Sequence, residues 1–227
     1  MTKFREELKT ICDKEWQKIK SGAFFSLMEK EFTKELYIKG MIQIFHYAKY
    51  NAINQSVATF AEDYRKVGLL RFALKHALEE VGHENMVISD LKAMGVNENV
   101  FDAKPMPATD ALSGYLDSVA LRGGVIPRLG YSFWSEDSYE QMAPLLNACK
   151  NILGLTENQL TFFVAHAEID IKHAQDVHNA IDRWVITDEE KESVIQVAKT
   201  TLFLTGQIFE SVANEYILEK DESRLSA

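Results

Sequence analysis

Only four prolines interrupt the 227 residues, and apolar residues recur at steps of three and four over nearly the whole length. That period belongs to helices with one buried face; strands would need alternation of period two between hairpin turns, and no segment shows it. The reading is an all-α, single-domain bundle of seven to eight helices covering 1–227. Helices are expected over about 2–20, 33–65, 69–94, 110–121, 126–136, 138–152, 157–185 and 188–218. Ile38, Met41, Ile42, Phe45, Ala48 and Ala52 mark the buried face of the second. Gly95 and Gly154 stand where helices end. Thr156 with Gln159, and Thr187 with Glu190, have the spacing of capping boxes for the last two. Residues 96–109 form the clear loop, a tether within the domain. The charged tail EKDESRLSA, from about 219, is expected to fray.

Composition narrows the function. The 25 Lys+Arg against 34 Asp+Glu leave a formal charge of −9, which disfavours a nucleic-acid partner, since phosphates call for a basic face. The cysteines, Cys12 and Cys149, are too few and too far apart for a disulfide framework or a thiolate zinc site. No apolar run reaches the ~18 residues of a membrane span, and MTKFREELKT has no signal-peptide core. A cytoplasmic protein is expected, with neither nucleic acid nor membrane as partner.

The chemistry-bearing residues stand where a core should be apolar. In 157–185, His166, Asp170 and His173 fall into the stripe defined by Phe163, Val177 and Ile181. Their spacing puts them within about 60° of one another and spreads them over roughly 10 Å of helix. An unpaired buried charge costs several kcal/mol, so such a group must be paired, hydrogen-bonded or bound to a metal. A second helix repeats the anomaly: Glu80 lies on the face of Ala73, Ala77, Val87 and Leu91, and His83 follows one turn later. Glu-x-x-His on one helix face is a spacing used by di-iron carboxylate bundles. His76 and Glu79 flank it, and Glu79 is the alternative to Glu80. A third carboxylate, Glu136, closes the aromatic segment Tyr131, Phe133, Trp134. The candidate ligands are therefore Glu80, His83, Glu136, His166, Asp170 and His173. Nitrogen and oxygen donors without thiolate suit iron or manganese, and two ions ~3.5–4 Å apart are geometrically reasonable. His46, Tyr47 and Trp134 are candidates for lining a substrate pocket. His178, near a helix end, suits a contact with the helix dipole.

In combination, Glu80 with His83, GYSFWSE ending at Glu136, and His166-x3-Asp170-x2-His173 resemble the heme-oxygenase-like di-iron oxidases and oxygenases. That superfamily includes thiaminase II (TenA), PQQ-synthase C and the chlamydial death-domain-associating protein. The resemblance implies a heme-oxygenase-like bundle without heme. It also implies two iron ions, Fe2+ or Fe3+, with Glu136 bridging; manganese stays possible on the ligand chemistry. The activity implied is dioxygen-dependent oxidation of a small molecule by C–C cleavage, N-oxygenation or decarboxylation, and a homodimer is expected. Two other enzymatic readings compete, a TenA-like hydrolase with a nucleophilic cysteine and a cofactorless oxidase like PQQ-synthase C. The third is a non-catalytic interaction bundle.

Overall fold

The computed structural model describes residues 1–226, with the side chains of 98, 100 and 167–170 outside that description. Among the described residues every regular element is helical. The order is α1 (Lys3–Lys20), α2 (Ala23–Glu31), α3 (Lys34–Ala48), α4 (Asn51–Ala58), α5 (Val67–Glu79), α6 (Glu84–Ala93), α7 (Pro107–Gly123), α8 (Val125–Glu136), α9 (Tyr139–Asn151), α10 (Thr161–Trp184) and α11 (Asp188–Leu225). Single 3-10 turns lie at Thr59–Ala61, Glu98–Phe101 and Glu157–Gln159. No described helix is long and apolar enough to cross a membrane.

The division is finer than periodicity predicts. The expected 33–65 helix is α3, a turn, α4 and a 3-10 turn; neither Pro nor Gly marks the break at Lys49-Tyr50, so the apolar spacing ran through it. The expected 69–94 helix is α5 and α6, parted by a turn in which Gly82 takes φ 93°, a conformation that costs other residues strain. Glu80 and His83 therefore do not share one helix face. They cap the two sides of a turn, Glu80 closing α5 and His83 opening α6. Segment 23–31, unassigned from the sequence, is α2. The tail does not fray at 219: α11 runs to Leu225, with Lys39 paired to Glu219 at 2.8 Å and Lys220 to Glu31 at 2.5 Å.

The core is organised around α8 and α11. Helix α8 is buried on nearly every side, from Val125 to Glu136, and packs on α11, α10, α7, α4 and α5. Helix α11 also carries α1, α2, α3 and α7. Gly130 allows α8 and α11 to approach: a Cβ there would overlap the carbonyl of Val194 and lie 2.9 Å from the amide nitrogen of Ala198. Trp134 anchors the same seam, donating to Thr201 Oγ1 at 2.8 Å and meeting Trp16 edge-on.

Both expected capping boxes form, but the one at Thr156 heads a 3-10 turn. Helix α10 begins at Thr161, and its first turn is capped from α6. Asp90, 0% exposed, accepts from Thr161 N at 2.8 Å, Thr161 Oγ1 at 2.6 Å and Phe162 N at 3.0 Å. A carboxylate suits that position, where unpaired N–H groups and the positive end of the helix dipole meet.

Candidate metal centre

Three helices deliver a buried polar group into the apolar interior. The end of α5 supplies His76 and Glu80, the end of α8 supplies Glu136, and the middle of α10 supplies His173. Each can offer a donor atom such that all four lie within 4.8 Å of one another. Glu80 and Glu136 are each 8% exposed. His173 Nδ1 lies 3.3 Å from Glu80 Oε1 and 3.4 Å from Glu136 Oε2. His76 Nε2 faces Glu136 Oε1 at 3.4 Å and Glu80 Oε1 at 4.0 Å.

A second cluster adjoins the first. His83 Nδ1 is 3.4 Å from Glu80 Oε2, and the His83 ring meets that of His166 edge-on with centroids 4.9 Å apart. Glu80 thus turns one oxygen to each cluster, a position the resemblance had assigned to Glu136. His166 and His173, two turns apart on α10, fall on opposite sides of Glu80. The side chain of Asp170, between them in sequence, lies outside the described residues. Glu79 stays at the rim, bonded to Lys172 at 2.8 Å and 3.4 Å from His173 Nε2.

The charges are mutually adjusted. Burial would raise the carboxyl of Glu80, but His173 and His83 more than reverse that and hold it well below the usual range. Glu136 is likewise lowered despite burial, through His173 and His76. Burial would lower His173, but Glu136 and Glu80 push it up to about 10. The Glu80 carboxylate beside it raises His83, whereas burial lowers His166.

The donor set fits a metal. His83 Nδ1 and His173 Nδ1 are buried without a hydrogen-bond partner, although carboxylate oxygens stand 3.3–3.4 Å away. Buried polar atoms are ordinarily satisfied. Imidazole nitrogens converging on carboxylates, too far for good hydrogen bonds, suit nitrogen–oxygen ligation of iron or manganese.

Glu80, His83, Glu136 and His166 also line a cavity of about 130 Å³, otherwise walled largely by aromatic side chains including Tyr47, Tyr131, Trp134, Phe162 and Phe209. Among the described residues, no Lys or Arg lines the cavity. Of the three pocket candidates, Tyr47 and Trp134 line the cavity; His46 does not. Its ring is buried between Phe45 and Lys49, with Nδ1 3.4 Å from Lys49 Nζ. His178 pairs with Asp137 at 3.0 Å and lies against Phe133, so its contact is with a side chain and not the helix terminus. Cys12 and Cys149 are buried away from the cavity lining, and burial pushes both thiols up to about 12, the opposite of a nucleophile's environment.

Sequence reasoning missed Arg128, whose guanidinium lies just outside the cluster and is 2% exposed. It donates to Asn54 Oδ1 (2.7 Å), Gln55 Oε1 (3.1 Å), Ser132 Oγ (3.0 Å) and Asn51 Oδ1 (2.7 Å). An Arg amid an apolar run, two turns before Glu136, was the available signal.

The family described as iron-containing redox enzyme matches residues 58–206. A crystal structure from Shewanella denitrificans, described as a domain of unknown function with a heme oxygenase-like fold, is 35% identical with a TM-score of 0.91, covering 95% of this chain and 94% of that one. A TenA homolog from Pseudomonas syringae pv. tomato is 11% identical with a TM-score of 0.75, covering 94% of this chain and 93% of the other. A CADD-like protein of unknown function from Nostoc punctiforme is 15% identical with a TM-score of 0.68, covering 92% and 98% respectively. At such identities the last two show the fold alone. No curated protein matches the chain.

Proposed function

The chain belongs to the iron-containing redox enzymes and has their heme-oxygenase-like fold; from that premise we propose that it is a non-heme di-iron oxidase or oxygenase acting on a small organic molecule. Glu80, Glu136, His83, His166 and His173 would hold the ions, with Asp170 completing the set. Bound iron would supply activation of dioxygen and accept electrons from the substrate; manganese is the alternative metal. The observation that carries the reading is the set of buried imidazole nitrogens left without hydrogen-bond partners around two carboxylates in a cavity wall.

The chain's own residues do the rest. Glu80, presenting one oxygen to each cluster, keeps both sets of donors in one frame. The carboxylates lower the charge cost of accommodating two cations in an apolar interior. Trp134, Phe162, Phe163 and Phe209 exclude water and receive an apolar portion of the substrate, while Tyr47 and Asn51 offer polar contacts at the same wall. The reactions proposed are those the resemblance implies: C–C cleavage, N-oxygenation or decarboxylation of a small molecule. A homodimer in the cytoplasm remains part of the proposal.

The test is to load the protein anaerobically with Fe(II), count the iron, and follow absorbance on exposure to oxygen. Two irons per chain and an oxygen-dependent optical change are expected in the wild type, with iron lost in His173→Ala. Background iron in both proteins would overturn the reading.

A further inference from the structure

We propose that His76 is a positioning residue and not a metal ligand: Arg128, acting through Gln55, holds it as the Nε2–H tautomer, which donates toward Glu136. The inference deepens the iron-binding reading and takes its other ligands as given. It bears on a residue that distance alone would place among the ligands, since His76 belongs to the group of four within 4.8 Å.

A guanidinium has five N–H donors and no acceptor. Whatever faces Arg128 must therefore be oxygen, which fixes the amide orientations that distances alone leave open. Gln55 turns Oε1 to Arg128 at 3.1 Å and consequently Nε2 to His76 Nδ1, at 2.7 Å. That amide nitrogen carries only hydrogens, so a hydrogen on His76 Nδ1 would meet them head-on. Nδ1 must present its lone pair, and the ring hydrogen is on Nε2. Nε2 points at Glu136 Oε1, 3.4 Å away, and a nitrogen bearing that hydrogen has no lone pair to give a metal.

His166 shows the opposite arrangement. Its Nδ1 lies 2.6 Å from the carbonyl of Phe162. A carbonyl only accepts, so Nδ1 carries the hydrogen there and Nε2 is free to ligate. Asn51 repeats the Gln55 logic for the other carboxylate, turning Oδ1 to Arg128 at 2.7 Å and donating from Nδ2 to Glu80 Oε2 at 3.0 Å. One buried cation thus sets the direction of donors reaching both carboxylates, Glu80 through Asn51 and Glu136 through Gln55 and His76.

Two measurements on the full-length chain test this. Long-range 1H–15N spectra of the metal-free protein read each histidine tautomer; His76 is expected as Nε2–H. In Gln55→Glu, whose carboxylate accepts from both sides, Nδ1 is expected to gain a hydrogen. An Nδ1–H signature in the wild type, or an unchanged signature in Gln55→Glu, overturns the proposal. Iron counting after anaerobic loading is the second measurement. His76→Gln is expected to keep the wild-type iron content whereas His173→Ala loses it, and iron loss in a His76→Gln protein that melts like the wild type overturns the proposal. If the wild type binds no iron, the di-iron reading fails on its own, and the tautomer spectra still decide the assignment of His76.

Discussion

Glu80 Oε1 lies 3.3 Å from His173 Nδ1, a carboxylate at the end of α5 against an imidazole in the middle of α10. Burial alone would lower that imidazole, but Glu136 and Glu80 hold it at about 10. The metal-free site therefore keeps a proton on His173 at neutral pH, and a ligating His must be neutral. Metal uptake should release at least this proton, and affinity should strengthen as pH rises toward about 10. Calorimetry in buffers of different ionisation enthalpy counts the protons, and none released at neutral pH would contradict the assignment.

The same pair governs the stability of the metal-free protein. The folded value for His173 lies above the ~6.5 of an unperturbed imidazole. Its contribution is therefore full below about 6.5 and disappears as pH rises through about 10. Glu80 and Glu136 are shifted the other way, so theirs is present above the usual carboxylate range of about 4.3 and is lost as pH falls below it. Thermal melts should show greatest stability between these limits, and bound metal should flatten the alkaline side.

Adjacent glutamates should behave differently. Glu80 faces the buried histidines, whereas Glu79 is bonded to Lys172 at the rim. Glu80→Gln should weaken iron binding by more than ~10-fold, beyond the lower bound usual for outer-sphere partners. Glu79→Gln should change it far less. Equal losses in competition with a chromophoric chelator would remove Glu80 from its assigned place.

Gly82, at φ 93°, makes the turn that brings Glu80 and His83 together. Gly82→Ala should cost about 1–3 kcal/mol of strain, lowering the melting temperature by roughly 2–4 °C per kcal/mol for a chain of this size, and should reduce iron content with it. Unchanged melting and iron content would mean that the turn is not constrained as described.

Gly130→Ala tests the seam between α8 and α11. The added methyl would overlap the backbone of Val194, which cannot yield as a flexible side chain can. A destabilisation of about 1–3 kcal/mol or more is expected, visible as a lower midpoint in urea.

What the sequence made legible follows from periodicity. His166 and His173 stand in an apolar stripe that a helix must bury, and they are where that stripe predicts. Glu136 was reachable because an aromatic run carries it inward. Glu80 and His83 were found for a reason that does not hold: their one-helix spacing is replaced by a turn, and Gly82 was the overlooked mark of it. The polar network around Arg128 was not legible, because Asn51, Asn54 and Gln55 reach it from a helix that starts without Pro or Gly. Three amides on a polar stretch carry no sign of which cation they will face. His46 shows the converse: a histidine on a core helix that lies off the cavity wall.

The carboxylate of Asp90 grips the first turn of α10 from α6. His83 opens α6 and His166 follows the start of α10, so both rings are referenced to one anchor that itself touches neither. The 4.9 Å between their centroids is thus tied, through α6 and α10, to a carboxylate that stands a helix away.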